Sequence, residues 1–93
     1  MTWFVYILAC NDGSFYVGRT QDVAARLTLH QSGKGAVHTA AHPPKAIAYQ
    51  ENFPTEREAA RRERQLKRWS HAKKQALVEG NLALLHELSK SRD

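Results

Sequence analysis

The fold of this chain is decided by Phe4-Val5-Tyr6-Ile7-Leu8 and Phe15-Tyr16-Val17-Gly18-Arg19, which are joined through Asn11-Asp12-Gly13. Residues 3–10 are apolar without interruption and rich in β-branched and aromatic types, which at this length favours a buried strand over a helix. Asn-Asp-Gly tolerates positive φ, and a three-residue loop that ends in glycine commonly closes a hairpin. The sequence therefore predicts a β-hairpin.

The turn also predicts the register of the two strands. A three-residue loop places Leu8 opposite Tyr16 and Tyr6 opposite Gly18, so that the two tyrosines become diagonal neighbours on one face. A two-residue turn would place them on opposite faces, because a slip of one residue inverts the side-chain set. We favour the first register, and the sequence alone leaves the second open.

Length and charge narrow the class of protein. At 93 residues the chain has room for one domain, which must hold both scaffold and site. Fourteen Lys and Arg residues against nine Asp and Glu residues leave a net charge of +5, which favours polyanionic partners such as nucleic acid or an anionic membrane surface. The single cysteine, Cys10, cannot form an intrachain disulfide, and the apolar opening has neither signal-peptide flanks nor the length to span a bilayer. We expect a cytoplasmic protein without a membrane segment.

A first helix is predicted over residues 22–32, because Thr20-Gln21-Asp22 offers N-cap and first-turn acidic chemistry and Gly33 stops the apolar pattern. Arg26 and His30 lie four residues apart on it and share a face. The next twelve residues read as a loop with at most one helical turn. Residues 45–53 then alternate enough to form a short third strand, which completes a three-stranded sheet.

A second helix over residues 55–69 begins with the capping-box pattern Thr55-Glu56-Arg57-Glu58. Its apolar face carries one carboxylate, Glu63, and a buried carboxylate without a partner is costly. Glu63 is therefore either a functional ligand or half of a structural ion pair with Arg19 or Arg26. Further helices are predicted over residues 71–79 and from Asn81 onward, with a frayed tail at 88–93.

Each of these side chains has an ordinary structural explanation when it is taken alone. Together, two tyrosines, an arginine, a histidine and an inward carboxylate on elements that pack against one another are the inventory of metal-assisted phosphodiester cleavage. His38 and His42 have the i, i+4 spacing of zinc ligands, but no third ligand is evident. The basic run over residues 57–74 is typical of a solvated face, although with Trp69 it could also track a phosphate backbone.

Two tyrosines ten positions apart lie in the short motifs Phe4-Val5-Tyr6 and Tyr16-Val17-Gly18, and Arg26, His30 and Glu63 follow them. This pattern resembles the GIY-YIG nuclease family. Most similar are its small single-domain bacterial members, in which residues 31–35 and 62–67 also have counterparts. The resemblance covers nearly the whole chain. It implies one α/β (α+β) domain over residues 1–93, with a three-stranded antiparallel sheet flanked by helices.

The resemblance also implies catalytic roles. Tyr16 would be the general base, Tyr6 would orient the water or a phosphate oxygen, and Arg26 would hold the scissile phosphate. His30 would assist Tyr16 or bind phosphate. Glu63 would anchor one divalent cation, Mg²⁺ or Mn²⁺.

Four further residues are implied to contact phosphate or DNA. Gly18 would let the backbone of the nucleic acid come close, and Arg19 would favour the phenolate of the general base. Lys34 and Lys67 complete this set. Two departures from the family pattern are the Phe4 that replaces a glycine and the lack of an asparagine that some relatives carry after the glutamate.

The function implied is a divalent-metal-dependent DNA endonuclease of low intrinsic sequence specificity, of the kind used in DNA repair or recombination. The DNA substrate (single-stranded, duplex or branched) stays open, as does a protein partner that supplies specificity, and we expect a monomer or weak dimer. The alternatives are a nucleic-acid-binding module and a partner-activated subunit with little catalysis of its own.

Overall fold

The computed structural model describes residues 1–90 and contains the predicted three-stranded antiparallel sheet. The strands are β1 (Trp3–Cys10), β2 (Phe15–Thr20) and β3 (Pro44–Phe53), in the spatial order β2-β1-β3. β1 is therefore the central strand, paired on both edges. The α+β class predicted from the sequence is confirmed.

Both faces of β1 are buried, which explains its unbroken apolar sequence. Val5 and Ile7 point into one core, which includes Ala59 and Leu66 of the long helix α3 (Glu56–Lys67). Tyr6 and its neighbours on the opposite face pack into a second, smaller core. Consecutive residues of one strand thus serve two different layers of the molecule.

The hairpin has the predicted register. Leu8 pairs with Tyr16 and Tyr6 pairs with Gly18, and Gly13 closes the turn at φ +86°. The two tyrosine rings lie on one face with their centroids 6.5 Å apart. The alternative two-residue turn is excluded, because it would have separated them.

Four of the five helices in residues 1–90 begin at a capping residue within the segments that the sequence predicts. Side-chain oxygens of Asp22, Thr55, Ser70 and Asn81 each accept a backbone N–H from the first turn of the helix that follows. α3 ends at Lys67, two residues before the predicted end. The remaining helices are α1 (Val23–Gln31), α2 (Val37–Ala41), α4 (His71–Glu79) and α5 (Leu82–Ser89).

Two details differ from expectation or lie beyond the structure. In the capping box of α3, the Glu58 carboxylate accepts from the Thr55 hydroxyl at 3.0 Å, whereas the usual partner is the N-cap backbone N–H. α5 includes Leu88 and Ser89, so the expected fraying does not begin at 88, while residues 91–93 of the predicted tail lie outside the described residues.

Within residues 1–90, no helix combines the length and apolarity that crossing a bilayer requires.

Candidate active site

A cleft of about 250 Å³ lies beside the edge strand β2, between α1 and α3. Six of the predicted site residues meet there. The hairpin, α1 and α3 bring together the side chains that line it, which are Trp3, Tyr6, Tyr16, Gly18, Arg19, Arg26, Glu56 and Glu63. The sequence prediction that the two tyrosines and the inward carboxylate share one site agrees with this placement.

The two tyrosines have different surroundings. Tyr6 is 2% exposed, and its hydroxyl is 3.0 Å from His30 Nε2. Burial, reinforced by Tyr16 and Glu63 against the opposing effect of Arg26, raises the pKa of Tyr6 to about 12. Tyr16 is partly exposed, and within residues 1–90 its hydroxyl makes no hydrogen bond. Tyr6 is thus held as a neutral phenol, while the Tyr16 hydroxyl is available in the cleft.

His30 lies behind Tyr6 and does not line the cleft. Its Nδ1 is 2.7 Å from Thr39 Oγ1, and that hydroxyl donates to the Ala36 carbonyl at 3.1 Å. A hydroxyl has one hydrogen, so Thr39 accepts from His30 Nδ1–H, and Nε2 is left to accept from Tyr6. His30 therefore holds Tyr6 in place as a neutral imidazole.

Burial of the ring, with a smaller effect of nearby Arg26, lowers the pKa of His30 below its ordinary 6.5. Since the unfolded chain then binds more protons than the folded one just below pH 6.5, the stability that His30 contributes should be lost as pH falls through this window. Tyr6, which faces His30, has a pKa raised to about 12 and therefore stays a neutral phenol throughout this window. We expect the urea concentration at the midpoint of unfolding to decrease as the pH is lowered from 7.5 to 5.5. His30→Gln should remove part of that pH dependence. His86→Gln, at an exposed position on α5, should leave it unchanged, and equal pH profiles for all three proteins would contradict the prediction.

Two glycines make room for this hydrogen-bonded pair. A Cβ at Gly18 would lie 2.6 Å from Cζ of the Tyr6 ring, and a Cβ at Gly35 would lie 2.6 Å from Cε1 of His30. Gly18 does line the cleft, but the space above it is filled by Tyr6. Its predicted contact with a phosphate backbone stays a prediction, and its observed role is to admit the phenol.

Gly35→Ala should destabilise the protein by about 1–3 kcal/mol, the usual cost of overpacking a filled site. The added methyl would push His30 from its bonds with Tyr6 and Thr39. Gly33→Asn is the matched control, because Gly33 has φ +81° with no atom near its absent Cβ and asparagine tolerates that conformation. Urea unfolding of both variants checks this, and an equal loss of stability in the two would contradict it.

Glu63 is bound by two cations. It is 8% exposed, and its Oε1 lies 2.6 Å from Arg19 Nη1 while its Oε2 lies 2.7 Å from Lys67 Nζ. Burial alone would raise the pKa of Glu63, but hydrogen bonds from Lys67 and Arg19 outweigh it and lower the pKa. Of the two arginines considered from the sequence, Arg19 is the partner. Lys67 is a second partner, placed one helical turn away.

A family model described as the GIY-YIG catalytic domain matches residues 2–76. The chain belongs to the GIY-YIG family. The resemblance stated from its motifs is thereby confirmed.

Curated relatives and solved structures agree with this GIY-YIG assignment. The chain is 45% identical over 76 residues to a UPF0213 protein of Bacillus pumilus, covering 82% of this chain and 78% of that one. A UPF0213 protein of Staphylococcus epidermidis is 42% identical, with 82% and 93% covered. The solution NMR structure of a UPF0213 protein from Bacillus halodurans matches with a TM-score of 0.54, 44% identity and coverage of 85% and 84%. That of an E. faecalis protein matches with a TM-score of 0.58, 36% identity and coverage of 88% of each chain.

GIY-YIG nucleases generally use divalent metal ions, and the cleft fits such an ion. Mg²⁺ keeps several waters and is commonly held by one or two carboxylates together with substrate phosphates. Glu63 supplies one carboxylate, and Glu56 lies in the same cleft, linked to Arg19 at 3.4 Å. Among residues 1–90, no group of three or more His, Cys, Asp or Glu side chains could hold a metal by itself. The GIY-YIG cleft of this chain therefore suits a cation whose coordination is completed by water and phosphate.

Sequence reasoning missed several residues of the GIY-YIG site. Trp3 and Glu56 line the cleft, and fully buried Thr39 fixes His30. Thr39 carried no signal, because its segment has neither helical nor strand periodicity. Lys34 is exposed and does not line the cleft, so its contact with DNA stays a prediction.

His38 and His42 do not form the zinc site that their spacing could have indicated. Their rings lie 5.3 Å apart, His38 Nε2 is 2.8 Å from Ser14 Oγ, and His42 pairs with Asp12 at 3.1 Å. The described residues contain no three-ligand group here. In this GIY-YIG chain the His38 ring instead packs 6.2 Å from the ring of Tyr16.

Proposed function

We propose that this protein is a divalent-metal-dependent DNA endonuclease of low intrinsic sequence specificity, with Tyr16 as general base and Glu63 as metal ligand. One observation carries the proposal: a single cleft gathers a hydroxyl without a protein partner in residues 1–90, an exposed guanidinium and an ionised carboxylate. Membership in a nuclease family supports phosphodiester hydrolysis as the reaction.

Tyr16 is the better base of the two tyrosines. Tyr6 donates to His30 and has a pKa raised to about 12, so it stays protonated and suits a role in orienting the water or a phosphate oxygen. Tyr16 shares the cleft with Arg19 and Arg26, and Lys67 Nζ lies 5.8 Å from the centroid of its ring. As general base, Tyr16 would accept a proton from the attacking water.

Arg26 is placed to bind the scissile phosphate. It lines the cleft from α1, is exposed, and forms no ion pair with any residue in 1–90. A guanidinium fits two phosphate oxygens at once and offsets the charge that develops in the transition state. In this proposal the phosphate lies between Arg26 and Glu63, which line the same cleft.

Glu63 would hold the divalent cation, whose chemistry is to polarise the phosphate and to stabilise the leaving oxygen. Its two oxygens contact Arg19 and Lys67, so at least one of these side chains would have to leave Glu63 for the carboxylate to hold a cation. A displaced lysine or arginine beside the cleft is well placed to contact the phosphates of DNA. The DNA-binding role expected of Arg19 and Lys67 from the sequence is part of this proposal.

The test is incubation with 5′-labelled single-stranded, duplex and branched DNA in Mn²⁺ or Mg²⁺, followed by denaturing gel analysis. We expect cleavage that EDTA abolishes and that follows no strict sequence rule. Absence of products with every substrate and either metal, from protein shown to be folded, would overturn the proposal.

A second candidate is a nucleic-acid-binding module, or a subunit that cuts only when a partner activates it. The observation that favours it is the doubly bound Glu63, since a carboxylate neutralised by Arg19 and Lys67 needs no metal. This candidate predicts salt-dependent DNA binding with no cleavage in any metal by the isolated protein. Mn²⁺ titration separates the two, because only the endonuclease requires a cation at Glu63.

A further inference from the structure

The outer side of α3 carries a groove of about 390 Å³ outside the catalytic cleft. We propose that this groove, the α3 groove, binds the phosphate backbone of a single-stranded segment of the nucleic acid whose scissile phosphate occupies the cleft. The proposal rests on the proposed function, which supplies the strand in the cleft. The α3 groove is formed by Arg61, Arg64, Gln65, Arg68 and Trp69.

The arginines of the α3 groove are not neutralised by carboxylates within the described residues. Within residues 1–90, none of Arg61, Arg64 and Arg68 forms an ion pair, and all three are exposed. Arg62 on the same helix shows the contrast, because it makes two bonds of 2.9 Å to the Glu51 carboxylate. Three guanidinium groups around one groove attract a polyanion and match phosphate oxygens in geometry.

Trp69 gives the groove an aromatic wall. The ring is half-buried against the main core, and Arg62 Cζ and Lys73 Nζ lie 5.2 Å and 4.6 Å from its centroid. These contacts hold the ring in place while part of it faces the groove. An aromatic surface beside a basic one is the usual combination for single-stranded nucleic acid, whose bases stack on the ring while cations follow the phosphates.

A further depression lies between the α3 groove and the catalytic cleft. This third depression of about 250 Å³ includes Lys67 and shares Arg19 and Glu63 with the cleft and Arg64 with the α3 groove. The path runs around one side of a helix whose diameter with side chains is about 10–12 Å, a distance that a few nucleotides span. Lys67 and Arg64 supply positive charge along it. The nearness of the cleft and the three arginines in the wall favour a nucleic acid strand over a membrane surface.

Two tryptophans, one in each site, make the proposal testable by fluorescence. In a Trp3→Phe protein, Trp69 is the only tryptophan, and we expect a single-stranded DNA of twelve nucleotides to quench it. Arg61→Ala/Arg68→Ala in this background should weaken the apparent Kd for dye-labelled DNA by about tenfold. Loss of two phosphate contacts should also reduce the slope of log K against log salt by about 1.4.

The matched control is Lys45→Ala/Lys90→Ala, which removes the same charge from β3 and the end of α5. An arginine double variant that binds with the affinity and salt slope of this control would overturn the proposal. Binding to anionic phospholipid vesicles that depends on Arg61 and Arg68, together with DNA binding that does not, would also overturn it.

The readouts also separate this proposal from the endonuclease. One outcome would support the endonuclease and reject the groove. In it, DNA is cleaved with metal and quenches Trp3 in a Trp69→Phe protein, but DNA does not change the fluorescence of Trp69 in the Trp3→Phe protein. Quenching of Trp69 without cleavage in any metal would reject the endonuclease and support the groove.

Discussion

Glu63→Gln is expected to reduce metal-dependent DNA cleavage by about a thousandfold or more. The amide keeps the size of the side chain but cannot bind a divalent cation as a carboxylate does, and such a cation is worth several kcal/mol of transition-state stabilisation. The fold should survive, because the partners Arg19 and Lys67 keep 37% and 48% of their side-chain surface exposed and can be solvated. Cleavage rates and Mn²⁺ binding by calorimetry measure the two effects separately.

Glu58→Gln provides the matched control for this variant. It is the same substitution on the same helix, at an exposed position outside the cleft. We expect it to keep wild-type cleavage and Mn²⁺ affinity. Equal cutting by the Glu63 and Glu58 variants would remove Glu63 from the mechanism.

Tyr16→Phe is expected to lower cleavage by about 10²–10⁴-fold, the range typical of a lost general base. The substitution removes one hydroxyl and keeps the ring, whose centroid lies 4.8 Å from that of His30. Because that hydroxyl has no hydrogen-bond partner in residues 1–90, stability and DNA affinity should stay close to wild type.

Tyr49→Phe controls for the loss of a tyrosine hydroxyl elsewhere. Tyr49 lies on β3 and donates to Glu51 at 2.6 Å, away from the residues that line the cleft. It should retain cleavage although it loses a part-buried hydrogen bond. If Tyr16→Phe cut DNA as fast as Tyr49→Phe does, another group would have to serve as base.

The hairpin and the helix starts could be predicted because local chemistry determines them. Asn11-Asp12-Gly13 specifies a loop length, loop length specifies register, and register puts Tyr6 and Tyr16 on one face. The N-caps likewise act within one turn of helix. A one-residue error at the turn would have misplaced half of the site.

What the sequence did not reveal depends on contacts between distant segments. Gly35 and Thr39 belong to a loop and a short helix without periodicity, and only packing shows that both exist to hold His30. Two glycines two residues apart also differ in purpose, since Gly33 is needed for its positive φ and Gly35 for its missing side chain. The ion pair between Lys67 and Glu63 was also not predicted, although it is local and its i, i+4 spacing is visible in the sequence.

The division of the cleft between the hairpin and α3 has a consequence for the synthesis of the protein. During translation the two tyrosines are made before Glu63, which follows more than forty residues after Tyr16. A nascent or truncated chain that stops before α3 carries the proposed base without the proposed metal ligand. If the mechanism holds, such fragments cannot damage nucleic acid, and cutting activity arises only when the long helix has docked on the sheet.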